Sequence, residues 1–228
     1  MKKEFLVDCV RCVCYGSSEP SCVLIQGEDT SRLGELDSEV RILEKLTDRP
    51  FLLVAFAVEN WNRDLSPWKA PAVFGNEDFG DGAQKTLEFV EKALIPHVFD
   101  TFCLKQDIPL ILGGYSLSGL FALWSAFNSD VFDAVSGVSA SVWFPGWMNY
   151  VRTKKCRAPH VYLSLGDREE KTRSSVMATV GDCMRLTRRV LSEKGADCVL
   201  EWNEGNHFKD ADLRCAKGFA WCMMSIRG

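Results

Sequence analysis

Residues 108–127 constrain the fold more than any other part of the chain. Ile108-Pro109-Leu110-Ile111-Leu112 is a short apolar run, and Gly113-Gly114-Tyr115-Ser116-Leu117-Ser118-Gly119 is a turn of mostly small residues. Leu120 to Phe127 follows as a strongly apolar helical stretch. A strand that is apolar on both faces has to be covered on both, and a parallel sheet flanked by helices does this. The glycines and serines then let the chain turn abruptly from strand into helix.

The rest of the chain repeats this alternation. Strand-like runs fall at Val23–Gln26, Phe51–Val58, Val135–Val138, His160–Leu165 and Cys198–Trp202, all but Val135–Val138 closed by Gly, Asn or an acidic residue. Val7, Val10 and Val13 mark a further strand-like segment near the start. Between the runs, Leu36, Val40, Leu43 and Leu46 repeat at helical spacing, as do Leu87, Val90 and Leu94 until Pro96 ends or kinks that helix. Val176, Val180, Met184 and Leu191 mark another helix, and Asp210 to Ile226 a last one. The pattern predicts a single α/β domain over residues 1–228, with a mostly parallel, doubly wound sheet and its site at the carboxyl ends of the strands.

A net charge of −4 gives no basic surface for nucleic acid or anionic membrane, so neither is expected as a partner. Asp8 and Arg11 interrupt any signal-peptide core, and no apolar run is long enough to span a bilayer. A cytoplasmic protein is expected. The ten cysteines are then read as buried free thiols. Cys9, Cys12 and Cys14 form a CxxCxC cluster, but no matching Cys or His pair stands nearby to complete a metal site. Neither metal nor cofactor is expected.

Chemistry concentrates at the turn after Leu112. A serine on a strained strand-to-helix turn needs small residues two before and two after it. Ser116 has Gly114 and Ser118 in those places, whereas Ser118 would have Leu120; Ser116 is therefore the candidate nucleophile. A serine hydroxyl needs a base to take its proton. Of three histidines, His97 precedes the turn and His160 opens a strand at the wrong end. His207, in the loop after the strand Cys198–Trp202, is the candidate base. The acid should lie between them in sequence, after Leu165, where Gly166-Asp167-Arg168-Glu169-Glu170 offers three carboxylates. Glu169, three residues after the glycine, is preferred, with Asp167 and Glu170 as alternatives. An oxyanion would be met by the backbone N–H of Leu117 and, from the end of an early strand, of Glu28. Two long aromatic connections, 59–79 and 143–159, place Trp61, Trp68 and Trp143 as candidate substrate contacts.

Four segments carry a resemblance: Gly114-Tyr115-Ser116-Leu117-Ser118-Gly119-Leu120, Val138-Ser139-Ala140-Ser141-Val142-Trp143, Gly166-Asp167-Arg168-Glu169 and Gly205-Asn206-His207. Together they resemble the putative-esterase branch of α/β-hydrolases, which includes enterochelin-esterase-like proteins and relatives of S-formylglutathione hydrolase. Arg63-Asp64-Leu65-Ser66-Pro67-Trp68 is similar to an Arg-Asp…Thr-Pro stretch of that branch. Ser118 departs from the usual glycine, and the N-terminal region is shorter than in siderophore esterases. The resemblance implies an α/β-hydrolase fold and hydrolysis of a small-molecule carboxylic ester through an acyl-enzyme, without metal or organic cofactor. Thioester hydrolysis or acyl transfer would use the same residues, and a non-catalytic binding protein could keep the fold. The interval between Val138 and His160 is too short for a large cap domain, so an open site for short or compact acyl groups is expected.

Overall fold

The computed structural model describes residues 1–73 and 75–226. Eight strands form one sheet: β1 (Lys2–Val7), β2 (Val10–Gly16), β3 (Val23–Asp29), β4 (Leu52–Val58), β5 (Leu110–Tyr115), β6 (Ala134–Val138), β7 (His160–Gly166) and β8 (Asp197–Asn203). Their spatial order is β1-β2-β4-β3-β5-β6-β7-β8. The hairpin β1–β2 and the pair β2–β4 are antiparallel, and every later pairing is parallel. The strand-like runs read from the sequence fall on these strands, except that Phe51, Ile108 and Pro109 precede β4 and β5, and the one segment marked by Val7, Val10 and Val13 is divided between β1 and β2.

The helices are α1 (Asp37–Leu46), α2 (Trp61–Asp64), α3 (Ala83–Phe89), α4 (Ile95–Phe102), α5 (Leu117–Asn128), α6 (Trp147–Thr153), α7 (Val180–Glu193) and α8 (Ala211–Ser225). Alternate residues of each central strand feed two cores. Leu52, Val54, Leu112, Val161 and Leu163 pack with α3, α5 and α7 on one face. Leu53, Ile111 and Tyr162 pack with α1 and α8 on the other. This period of two is why the parallel strands read as unbroken apolar runs.

Pro96 does not end its helix. Residues 90–94 instead form one π-helical stretch, and the helix resumes through Phe102. Proline removes an N–H and crowds the carbonyl four residues back, and the wider π turn makes room for it. Asp8 and Cys9, both at positive φ, form the two-residue turn of the β1–β2 hairpin. Cys9 is therefore exposed on the turn while Cys12 and Cys14 are buried in the core.

The long connections also differ from expectation in one respect: most of their aromatics are interior. Phe144 and Trp147 are buried, Phe79 packs edge-on against Phe144 at 5.0 Å between centroids, and Trp147 lies 6.0 Å from Phe127. Aromatic rings gain more by packing on one another than by lying in water, so these loops carry a small core of their own. The segment between β6 and β7 holds only the short α6 and makes a wall, with no cap domain.

Candidate active site

The turn after β5 is built as its residues require. Ser116 has φ 60° and ψ −119°, a conformation that L-residues rarely adopt, and it sits directly at the N-terminus of α5. Its N–H donates to Val138 O at 3.0 Å, and its own carbonyl accepts from Ser141 N–H at 3.0 Å. A Cβ on Gly114 would meet the backbone carbon and oxygen of Ser118 at 2.6 and 2.7 Å, so the position admits only glycine. Ser118 fits because its hydroxyl turns aside: it is fully buried and donates to the Gly27 carbonyl at 2.9 Å. That bond ties the end of β3 to the turn.

Three loops at the carboxyl ends of the strands converge here. His207, after β8, brings Nε2 to 3.0 Å from Ser116 Oγ. Its Nδ1 lies 2.7 Å from Glu169 Oε2, on the loop after β7. Glu169 is 8% exposed. Its Oε1 accepts from Ser139 Oγ at 2.7 Å, from Gly166 N–H at 2.7 Å and from Arg214 Nη1 at 2.8 Å. Burial pushes this carboxyl up, but the hydrogen bond and charge of His207, with the donors Ser139 and Gly166, outweigh it and hold the group below its ordinary value. An ionised carboxylate, an imidazole held by it and a hydroxyl on the far nitrogen form an array able to draw a proton from Ser116.

The other two carboxylates of that loop point elsewhere. Asp167 Oδ1 accepts from Gly205 N–H at 2.8 Å, and Glu170 pairs with Arg185 at 3.3 Å. His160 lies at the far end of β7 beside Asp197, and His97 stacks on Phe5 at 5.2 Å.

Leu117 opens α5, so its N–H has no partner within the helix. Glu28 lies one residue beyond Gly27, the carbonyl of which is held by Ser118. The Glu28 side chain leaves by the opposite face of β3 toward Arg32 and Asp212, so only its backbone is available to the site. A cavity of about 550 Å³ opens over Ser116 and His207. Trp61 and Trp143 line it, with Met177, Val180, Arg168 and Lys171. Trp68 does not: its Nε1–H donates to Pro145 O at 2.7 Å and its ring packs on Phe144 and Tyr150, behind the wall.

Several site residues escaped the sequence. Phe208 stands 89% exposed on the cavity rim next to His207. The Tyr115 hydroxyl, kept neutral by burial that pushes it up to about 12, donates to the His207 carbonyl. Arg214 on α8 reaches Glu169 from below. Among the described residues, no group of three or more His, Cys, Asp or Glu is arranged to hold a metal ion, and no helix is long and apolar enough to cross a membrane.

A mostly parallel sheet in this strand order, with a serine on a strained turn after β5, defines the α/β-hydrolase class. The model of the family described as "Putative esterase" matches residues 16–207, and the chain belongs to that family. Solved structures share the fold at low identity. An IroE-like serine hydrolase from Shewanella oneidensis superposes with a TM-score of 0.80 at 17% identity, over 97% of this chain and 79% of that one. The siderophore hydrolase EstA from Aspergillus nidulans gives 0.70 at 16%, over 95% and 90%. The enterobactin esterase FES from Shigella flexneri gives 0.67 at 13%, over 100% of this chain and 60% of that one. No curated protein sequence matches the chain.

Proposed function

We propose that the protein hydrolyses carboxylic esters of small soluble substrates through an acyl-enzyme, with Ser116 as nucleophile, His207 as base and Glu169 as the orienting acid. The observation that carries this reading is the continuous line Ser116 Oγ to His207 Nε2 at 3.0 Å and His207 Nδ1 to Glu169 Oε2 at 2.7 Å. Ser116 Oγ attacks the ester carbonyl carbon as its proton passes to His207 Nε2. The negative oxygen that forms is met by the N–H groups of Leu117 and Glu28, helped by the N-terminus of α5. Collapse breaks the bond to the alcohol oxygen, which takes the proton from His207. Water then enters, gives its proton to His207, and releases the acid from Ser116. Glu169 stays ionised throughout and stabilises the imidazolium.

The cavity supports a compact substrate. Burying an acyl chain is worth about 0.8 kcal/mol per methylene, and a wall without a cap leaves most of a long chain in water. Trp61 and Trp143 suit the apolar part of the ester. Arg168 and Lys171, in no ion pair among the described residues, suit a negatively charged part. A cytoplasmic setting is part of this reading: six of the ten cysteines are buried, and burial raises the thiols, Cys22 to about 11, which makes them packing groups. A panel of p-nitrophenyl esters and matching thioesters tests the proposal. Rates should peak at short acyl chains, about two to four carbons. A steady rise to ten or more carbons would overturn the open-site reading, and preference for the thioesters would move the activity to that class.

A further inference from the structure

Arg214 is the most deeply buried charge in the neighbourhood of the site, at 1% exposure. Its Nη1 donates to Glu169 Oε1 at 2.8 Å and to Ser139 Oγ at 3.1 Å, with the Tyr115 hydroxyl at 3.4 Å. Its Nη2 donates to the carbonyls of Glu204 at 3.1 Å and Asn206 at 3.0 Å. One guanidinium thus spans the acid loop after β7, the end of β6 and the loop that carries His207. The surrounding backbone makes room for it: a Cβ on Gly166 would lie 2.9 Å from Nη2 and 3.0 Å from Nη1.

The contacts divide the carboxylate. Ser139, Gly166 N–H and Arg214 together fill Oε1, which leaves Oε2, among the described residues, to His207 Nδ1. The same guanidinium grips the residue immediately before His207, while Tyr115 holds the carbonyl of His207 itself. We propose that Arg214 is a positioning residue for the hydrolytic array: it fixes the rotation of the Glu169 carboxylate and the placement of the His207 loop, and so sets the Glu169–His207–Ser116 line. Planar, forked donors suit this task, since two loops have to be held from one point in fixed directions. The inference rests on the Ser116–His207–Glu169 reading above.

A charge so close to Glu169 also acts through its field. The other groups that face this pair are His207, Tyr115 from β5 and Cys215 next along α8, past which lie Glu39, Glu28 and Asp212. Removing the arginine leaves Glu169 less compensated, which favours the protonated imidazole. The acid limb of the kcat/KM profile should then move to higher pH.

The test compares Arg214→Met and Arg214→Lys with the unaltered protein on a short p-nitrophenyl ester. Circular dichroism and melting serve as fold controls. For Arg214→Met, kcat should fall roughly 10- to 100-fold with KM changed less than about threefold, and the acid limb should rise by about half a pH unit. Arg214→Lys keeps the charge and loses the fork, so its acid limb should stay near the original while kcat remains several-fold low. An unchanged kcat in either folded variant overturns the inference. So does a loss of kcat in Arg214→Met with no movement of the limb, since that is what a merely structural arginine would give. If Arg214→Met does not fold, Arg214→Lys decides: kcat lowered at least about fivefold at constant KM supports the role, and a normal kcat rejects it. Ser116→Ala, run alongside, separates the two readings. If it remains active the array itself is wrong; if it is inactive and the arginine variants are normal, only the role of Arg214 fails.

Discussion

Glu28 and Glu39 make the stability of this protein depend on pH in an unusual direction. Gln26 and Glu28 project from one face of β3 under α1 and α8, and Glu39 on α1 meets them there. Gln26 Nε2 donates to Glu39 Oε2 at 3.4 Å, and Glu39 Oε1 has no hydrogen-bond partner among the described residues. Burial, with Asp212 and Asp29 adding to it and Arg32 opposing, raises Glu28 from the ordinary 4.5 to about 7. Burial and the neighbouring Glu28 also hold Glu39 well above its ordinary value. Both carboxyls therefore bind protons more tightly folded than unfolded. The favourable contribution of Glu28 is complete below about pH 4.5 and is lost as the pH rises through about 7, and Glu39 acts in the same direction. For Glu28 the rise from 4.5 to about 7 corresponds to roughly 3 kcal/mol. Glu28→Gln removes that loss. At pH 8 the variant should be more stable by up to about 3 kcal/mol, or about 6–12 °C in Tm for a chain of this size. Near pH 4 the two proteins should melt together. Urea or thermal unfolding at the two pH values measures the difference. A variant less stable than the original at pH 8, or one whose advantage is the same at both pH values, would refute the reasoning.

Two further outcomes follow from the site. Gly114→Ala should abolish ester hydrolysis, because its Cβ would be driven into the Ser118 backbone and the turn would have to open; normal turnover in a folded variant would contradict this geometry. Glu169→Gln should lower kcat, though less than loss of serine or histidine, while Glu170→Gln, which breaks only the pair with Arg185, should leave it near normal; the opposite pattern would move the acid to Glu170.

The parts of this molecule legible in the sequence are those with a local steric or periodic signature. The turn at Ser116 was readable because its backbone strain admits only small residues at 114 and 118. The strands were readable because both faces are covered. Arg214 was not, because nothing local to it signals a link to a carboxylate 45 residues earlier. Its one trace is its place on α8, where Arg214, Gly218 and Cys222 recur at helical spacing on a buried face. Trp68 reads in the sequence as a substrate contact because an aromatic-rich loop looks the same whether its rings face a cavity or one another. The buried carboxyls escaped for a related reason: Gln26, Glu28 and Glu39 look like surface residues until α1 and α8 close over them.

Under the proposed function Ser116 is the nucleophile and His207 activates it. Reaction with a fluorophosphonate probe followed by peptide mapping tests it most directly, with ester turnover measured on the same samples. The expected result is a single modified residue, Ser116, no label and a loss of kcat of at least about 10³-fold in Ser116→Ala, and a comparable loss in His207→Ala. A folded Ser116→Ala protein that still turns over ester, or a probe adduct on another residue, would contradict it.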